Sequence, residues 1–306
     1  KHLVNYRLDI RNYSKIKSKI KSIKPDLIFH CAAQSLVKES YKEPYATWTT
    51  NLLGSINIFE TLKNLKIKKK LGVVIVTSDK CYRNLNQKKG YKENDLLGDD
   101  EPYGASKAAI ELAFSSYFRS FFINKKNLRI ATARAGNVIG GGDWSKDRII
   151  PDLVRSIKSK KNLEIRYPYS TRPWQHVLEP VYGYMVLAYN LYNDKQKKIN
   201  GQSFNFGPWF SKNYKVIELL NKLKLSFPEI RWVIKKQIKN KLNEAGLLNL
   251  NCKKSFDVLK WKNILSFEET VNLTSIWYKN YFKNKNVKLN SLNQINLYKN
   301  KLKKIY

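Results

Sequence analysis

Two groups of side chains in this 306-residue chain have the types and spacing of acid–base chemistry. In Tyr103-Gly-Ala-Ser-Lys107 a phenol and an amine stand one helical turn apart, on the same face of any helix they share. A free phenol ionises near pH ~10, and a neighbouring ammonium favours the phenolate. Such a group can take the proton of a sugar alcohol as hydride leaves the carbon. The second group is Thr77-Ser78-Asp79-Lys80-Cys81-Tyr82, at the end of an apolar run. A hydroxyl, an acid and an amine there can serve as hydrogen-bond donor, proton donor and proton acceptor. Each group also has a plainer reading, a surface ion pair for the first and a polar turn for the second.

The elements around them decide between these readings. Tyr13 to Ile23 has helical spacing and Pro25 closes it; Leu27 to Ala32 reads as a short buried strand. A long helical stretch follows Pro44 through Trp48, Leu52, Ile56, Phe59 and Leu62. Leu71 to Thr77 is an unbroken β-branched run, as in a strand covered on both faces. A helix from Tyr103 to Phe122 and a strand from Leu128 to Ala135 follow. This alternation predicts an α/β fold with a doubly wound parallel sheet. After Gly140 the segments shorten: helices over Ile149–Ser156, Pro180–Tyr192 and Val216–Leu225, strands over Leu163–Tyr167 and Trp232–Ile234. They predict a smaller α+β portion at the carboxyl edge of the sheet, where ligands bind in such folds. His2 to Ile10 reads as extended, and 283–306, mostly Lys, Asn and Leu, as a loosely attached tail.

Composition narrows the partners. Lys and Arg number 58 against 24 acids, a net charge of +34, yet only 11 of the 58 are arginine, the usual reader of guanine edges. The excess lysine is read as solvated helix faces rather than a nucleic-acid surface, although it would steer an anionic substrate inward. No apolar run reaches the ~20 residues of a membrane span. Cys31, Cys81 and Cys252 are too scattered for a disulfide framework or a zinc site. A cytoplasmic globular protein with no metal is expected.

Further blocks join the first two: Asp9-Ile10-Arg11, His30-Cys31-Ala32-Ala33-Gln34, Thr50-Asn51-Leu52-Leu53-Gly54, Arg134 to Trp144 (RAGNVIGGGDW) and Arg172 to Pro180 (RPWQHVLEP). Over residues 1 to 282 the chain resembles the extended short-chain dehydrogenase/reductases that act on nucleotide sugars, and among them the branch of 4,6-dehydratases that takes CDP-glucose. The resemblance implies a truncated Rossmann-type NAD-binding domain over 1–139, with returning segments near 174–208. A mainly substrate-binding domain over 140–282 would follow. It implies NAD as cofactor and loss of water from CDP-D-glucose to give CDP-4-keto-6-deoxy-D-glucose. C4 oxidation, elimination across C5 and C6, and hydride return to C6 would follow in turn.

By the same match Tyr103 is the base at the C4 hydroxyl, with Lys107 lowering its pKa and holding the nicotinamide ribose. Ser78 would bind the C4 oxygen, and Asp79 would protonate the departing C6 hydroxyl. Lys80 stands where related dehydratases carry a glutamate that moves the C5 proton. Asp9 and Ile10 would lie at the adenine, Ala32, Ala33 and Gln34 along the dinucleotide, and Thr50 near its phosphates or ribose. Asn137 and Arg172 match diphosphate contacts, with Arg148 and His176 as weaker matches; guanidinium suits phosphate. His30 reads as hydrogen-bonded scaffold, and Trp144 and Trp174 as packing. A homodimer or larger homo-oligomer is implied, paired through Tyr45 to Lys66 and Tyr103 to Phe122.

One departure stands out. The glycine-rich turn that cradles a pyrophosphate in such folds has no counterpart before Lys1, and Gly140-Gly141-Gly142 does not match it. The sheet's first units are therefore expected to be missing, with weak NAD retention and marginal folding. Two other functions stay open: a sister dehydratase or 4-epimerase, and a nucleotide- or RNA-binding remnant without catalysis.

Overall fold

A computed structural model describes residues 3–87, 89–209, 213–235 and 247–305. The chain passes through α1 (Tyr13–Ile23), β1 (Leu27–His30), α2 (Val37–Lys42), α3 (Pro44–Trp48), a π-helical turn over Thr49–Leu53 and α4 (Gly54–Asn64). Next come β2 (Leu71–Val76), a 3-10 turn at Asp79–Cys81, α5 (Pro102–Tyr117), a second π-helical turn over Phe118–Phe122 and β3 (Leu128–Ala135). Then follow β4 (Val138–Ile139), α6 (Ile149–Ser159), β5 (Leu163–Ile165), β6 (Thr171–Arg172), β7 (Gln175–His176), α7 (Leu178–Asn193) and β8 (Ser203–Phe206). The remainder is β9 (Tyr214–Lys215), α8 (Val216–Lys224), β10 (Trp232–Ile234), α9 (Lys253–Leu259), α10 (Phe267–Phe282) and α11 (Val287–Lys303).

The chain divides into two compact units. One holds the chain up to Arg83, Glu93–Arg134 and Tyr184–Asn205; the other holds Asn84–Lys92, Ala135–Gly183 and everything from Phe206. The first is built on the sheet ordered β1-β2-β3-β8. β1 runs parallel to β2 (Leu27 opposite Gly72), and β2 parallel to β3 (Leu71 opposite Leu128). Every residue of β2 up to Ile75 is buried, which explains its uninterrupted apolar sequence. Ile58, Phe59 and Leu62 of α4 and Ile110 and Phe114 of α5 pack with Val73, Ile75 and Ile130. The aromatic residues near the end of α5 mostly serve this core: Phe59 lies 6.4 Å from Phe114 and 5.4 Å from Tyr117. Phe114 and Phe122 are buried, so of that group Phe121 is the one that is largely exposed.

Local chemistry sets the helix ends. Asn12 caps α1 through the Lys15 amide, and Lys24 closes it in the left-handed region, just before Pro25. α5 opens with Pro102 in its first turn, while the Glu101 carboxylate accepts from the Tyr103 and Gly104 amides. Residues 3–9, expected to run extended, join no sheet; the chain turns at Asp9–Asn12, where the Asn12 amide donates to the Asp9 carbonyl.

In the second unit, short strand pairs (β4 with β7, β5 with β10, β6 with β9) frame a separate core. Leu153 and Val154 of α6, Leu219 and Leu223 of α8 and Phe267, Val271 and Tyr278 of α10 fill it. A capping box at Ser266 and Glu269 starts α10. The stretch 283–306, expected as a loose tail, is instead mostly the helix α11, folded back on α10. Its Gln294 donates to the Leu273 carbonyl, its Ser291 accepts from the Trp277 indole, and its Tyr298 donates to Glu179. The sequence hides this because its buried contacts are polar: Asn290, Gln294 and Tyr298. Trp144, Trp277, Tyr278 and Tyr281 form an aromatic cluster, with Trp144 4.7 Å from Tyr281. Gly141 lies against it so closely that a Cβ would fall 1.9 Å from the Trp277 ring.

Candidate active site

The end of β2 and the start of α5 bring the two chemical groups of the first unit together. Ser78 leaves the strand in extended conformation and caps the following 3-10 turn, accepting from the Lys80 amide at 3.2 Å. Its hydroxyl donates to Asp79 Oδ1 at 3.0 Å. α5 packs on this turn, and only glycine fits at position 104: a Cβ there would lie 2.7 Å from the Lys80 carbonyl oxygen. Tyr103 and Lys107 thus face the turn from the first two turns of α5, all but buried.

Lys107 is the most constrained group. It is 4% exposed, and its ammonium donates to the Val76 carbonyl at 3.2 Å. Burial pulls its pKa down to about 8. Lys80 behaves differently: its ammonium lies 3.7 Å from the Asp99 carboxylate, at the more open side. Burial pushes the Asp99 and Glu101 carboxyls up, and Lys80 opposes this for both.

The positions matched to the dinucleotide line the carboxyl end of β1. Ala32 is exposed, Ala33 and Gln34 half-buried. Asn51 fixes this segment: its side chain accepts from the Gln34 amide (2.8 Å), donates to the Gln34 carbonyl (3.0 Å) and donates to Ser106 on α5 (2.9 Å). Thr50 sits half-buried in the neighbouring π-helical turn. Asp9 pairs with Arg11 at 2.6 Å on the surface, and hydrogen bonding from Arg11 pulls its carboxyl to about 2. Ile10 packs against Gly54 and the core around Phe59. His30 is scaffold, as expected: its Nε2 meets Ser55 Oγ at 3.0 Å, and burial holds its pKa near 4.

The positions matched to the substrate lie in the second unit. Asn137 takes the left-handed backbone (φ 50°) just before β4, which pairs with β7 and so aligns Ile139 with His176. His176 is 1% exposed, accepts from the Leu178 amide through Nδ1, and is pulled to about 4 by burial. Arg172, on β6, donates to its neighbour's carbonyl, Thr171 O, at 2.8 Å. Arg148 is paired to Asp143 at 3.1 Å. Trp174 is packing, with its indole donating to the Tyr214 carbonyl; Trp144, 43% exposed, is only partly so.

Sequence reasoning missed two groups in the first unit. Glu111, one turn beyond Lys107, is paired with Arg134 at 2.9 Å in the interior, a spacing that the Tyr-x-x-x-Lys motif could have been extended to find. Tyr184, on α7, has Cys31, Tyr103 and Asp79 as electrostatic neighbours, and burial pushes its phenol up. No short-range sequence signal marks it.

A parallel sheet whose strand end and following helix carry Ser-Asp-Lys and Tyr-x-x-x-Lys defines an extended short-chain dehydrogenase/reductase. The profile of the family described as GDP-mannose 4,6 dehydratase matches residues 1–274, and the chain belongs to that family. It is 39% identical over 296 residues to a CDP-glucose 4,6-dehydratase of Salmonella typhimurium, covering 95% of this chain and 80% of that one. Among solved structures, the epimerase Mth375 of Methanothermobacter thermautotrophicus superposes with a TM-score of 0.77 at 21% identity, over 91% of this chain and 79% of that one. A dTDP-glucose 4,6-dehydratase of Bacillus anthracis, solved in complex with NAD, gives 0.72 at 19% identity, over 89% and 78%. These two likenesses are of fold.

Proposed function

We propose that the protein is an NAD-dependent hydro-lyase that converts CDP-D-glucose to CDP-4-keto-6-deoxy-D-glucose and water. The observation that carries this is the assembly of Ser78, Asp79, Lys80, Tyr103 and Lys107 at one strand end, in a chain 39% identical to a dehydratase of that substrate. The nicotinamide end of NAD fits the residues present. Lys107 is a buried ammonium with three donors and, among the described residues, one acceptor, Val76 O, so it has donors to spare for ribose hydroxyls. Ala32, Ala33, Gln34 and Thr50 would line the dinucleotide, with Asp9 and Ile10 toward the adenine.

Lys107 and the residues along the carboxyl end of β1 would hold NAD, which would supply hydride acceptance at C4 and hydride donation at C6. The residues of the chain move the protons. Tyr103 accepts the C4 hydroxyl proton, and the adjacent charge of Lys107 favours its phenolate. Ser78 holds the C4 oxygen. Asp79 supplies the proton with which the C6 hydroxyl leaves as water, and Lys80 handles the C5 proton. Asn137, Arg148, Arg172 and His176 are proposed for the diphosphate and nucleotide. We further propose that the protein is cytoplasmic and pairs with a second copy through the helices at 45–66 and 103–122, where Tyr45, Leu53, Leu112 and Phe121 are exposed.

The test is direct. The purified protein, supplied with NAD and in turn with the CDP, dTDP, UDP and GDP sugars, is assayed by mass spectrometry. Loss of one water from CDP-glucose alone is expected. Water loss from a different nucleotide sugar reassigns the substrate, and an isomer of unchanged mass makes it an epimerase.

A further inference from the structure

The pair Glu111–Arg134 takes no part in the steps above, yet both of its partners are heavily hydrogen-bonded in the interior. Glu111 Oε1 accepts from Thr77 Oγ1 at 2.5 Å and Arg134 Nε at 3.0 Å. Its Oε2 accepts from Arg134 Nη2 (2.9 Å), Thr132 Oγ1 (2.9 Å) and Ser203 Oγ (3.1 Å). A carboxylate offers about four acceptor sites, so this one is saturated. Burial pushes its carboxyl up, but Arg134 and these donors bring it below the usual range. Arg134 in turn donates to the Tyr82 hydroxyl at 2.8 Å and the Glu93 carbonyl at 2.9 Å.

The geometry beside it is specific. Lys107 and Glu111, successive turns of one face of α5, hold consecutive residues at the end of β2. Lys107 donates to the Val76 carbonyl, and Glu111 accepts from the Thr77 hydroxyl. The next two residues are Ser78 and Asp79. We propose that Glu111 is a positioning residue of the reaction: through Thr77 it fixes the Ser78–Asp79 turn against the Tyr103–Lys107 face of α5, on which it stands one turn beyond Lys107. This rests on the dehydratase reading for the roles of Tyr103 and Lys107.

The charge balance around Lys107 agrees with this placement. Its electrostatic partners are His30 and Cys31 at the end of β1, Cys81 in the turn, and Glu111 on its own helix. His30 is held neutral near neutral pH by burial, and burial pushes both thiols up, so neither is charged there. Glu111 is the anion of the set.

The experiment uses the full chain and two variants. Glu111→Gln keeps the volume and removes the charge; Thr77→Val keeps the β-branched shape and removes the tie. The Lys107 ammonium is titrated by NMR in lysine-labelled protein without nucleotide sugar, its signal assigned by loss in Lys107→Arg. Glu111→Gln is expected to lower the midpoint, and Thr77→Val to leave it in place. Both should lower kcat on CDP-glucose by on the order of 10²-fold, with KM changed less than about threefold. An unmoved midpoint in folded Glu111→Gln, or wild-type kcat in Thr77→Val, overturns the proposal. If Glu111→Gln does not fold, Thr77→Val decides alone. Because the titration needs no substrate, the two failures are distinguishable: a shifted Lys107 in a chain inert toward every nucleotide sugar sinks the functional reading, whereas an unmoved midpoint in a chain active on CDP-glucose sinks this one.

Discussion

At the scale of residues, the burial of Lys107 carries a cost. Holding its pKa at about 8 instead of 10.5 disfavours folding at neutral pH by about 3 kcal/mol, at ~1.4 kcal/mol per pH unit. The sign follows from linkage: the unfolded chain binds the extra proton between the two values, so the penalty is full below pH 8 and fades toward 10.5. Lys107→Met should therefore stabilise the fold near pH 7 by about 2 kcal/mol, after loss of one hydrogen bond worth about 1 kcal/mol. Urea titration measures the gain, which should vanish at high pH, while activity is lost. The proton carriers should also be separable. Tyr103→Phe is expected to reduce C4 oxidation by about 10² to 10⁴, with no reduced nicotinamide accumulating. Lys80→Met and Asp79→Asn should slow elimination by a similar factor, leaving reduced nicotinamide visible by its absorbance. Full activity in Lys80→Met would assign the C5 proton to another group or to water.

At the scale of elements, α11 is tied in part by one interior carboxylate. Glu179 Oε1 accepts from the Ile264 and Leu265 amides, and Oε2 from Tyr298 of α11. Burial pushes its pKa up to about 6, so at neutral pH it is an anion that needs all three donors. Tyr298→Phe removes one from a buried charged group, at about 1–3 kcal/mol. Hydrogen exchange over 287–303 should then rise relative to the rest of the chain. This helix shows where sequence reasoning stops. The buried helices and strands were legible because their apolar residues recur with the period of the element: α1, β3 and β10 fall at their expected bounds. α11 buries Asn290 and Gln294 instead, and the pattern of Lys, Asn and Leu carries no such period. The strand β8 was missed for a related reason, since Ser203 and Asn205 alternate with two phenylalanines in a run of only four residues. In the candidate site, motif spacing pointed to the groups on α5 and the turn before it. Glu111 lies one further turn along the face of that motif and could have been added to it, but its partners on distant strands, like the neighbours of Tyr184, were out of reach.

At the scale of the whole molecule, two buried histidines set its response to acid. His30 and His176 are each held near 4, against 6.5 for a free imidazole, chiefly by burial. The unfolded chain takes up their protons first, so stability is intact above about pH 6.5 and falls through pH 4. Each contributes about 3 kcal/mol to that loss. Circular dichroism should show acid unfolding between these limits, shifted lower in His30→Gln/His176→Gln. The net charge of +34 acts at longer range. It raises the encounter rate of an anionic nucleotide sugar, and salt screens it over about 8–10 Å. A fall in kcat/KM with added salt, at nearly constant kcat, is the expected signature.

The aromatic cluster of the second unit has an optical consequence. Trp144 lies 6.5 Å from Trp277 and 4.7 Å from Tyr281, with its own ring tilted by more than 50° to each. Chromophores this close and this inclined couple their transition dipoles and give intense near-ultraviolet dichroic bands. Trp144 directly follows Asp143 of the glycine run, and Gly141 sits on Trp277. The protein thus carries its own spectroscopic reporter of whether residues 140–144 are seated, readable while the backbone signal stays constant.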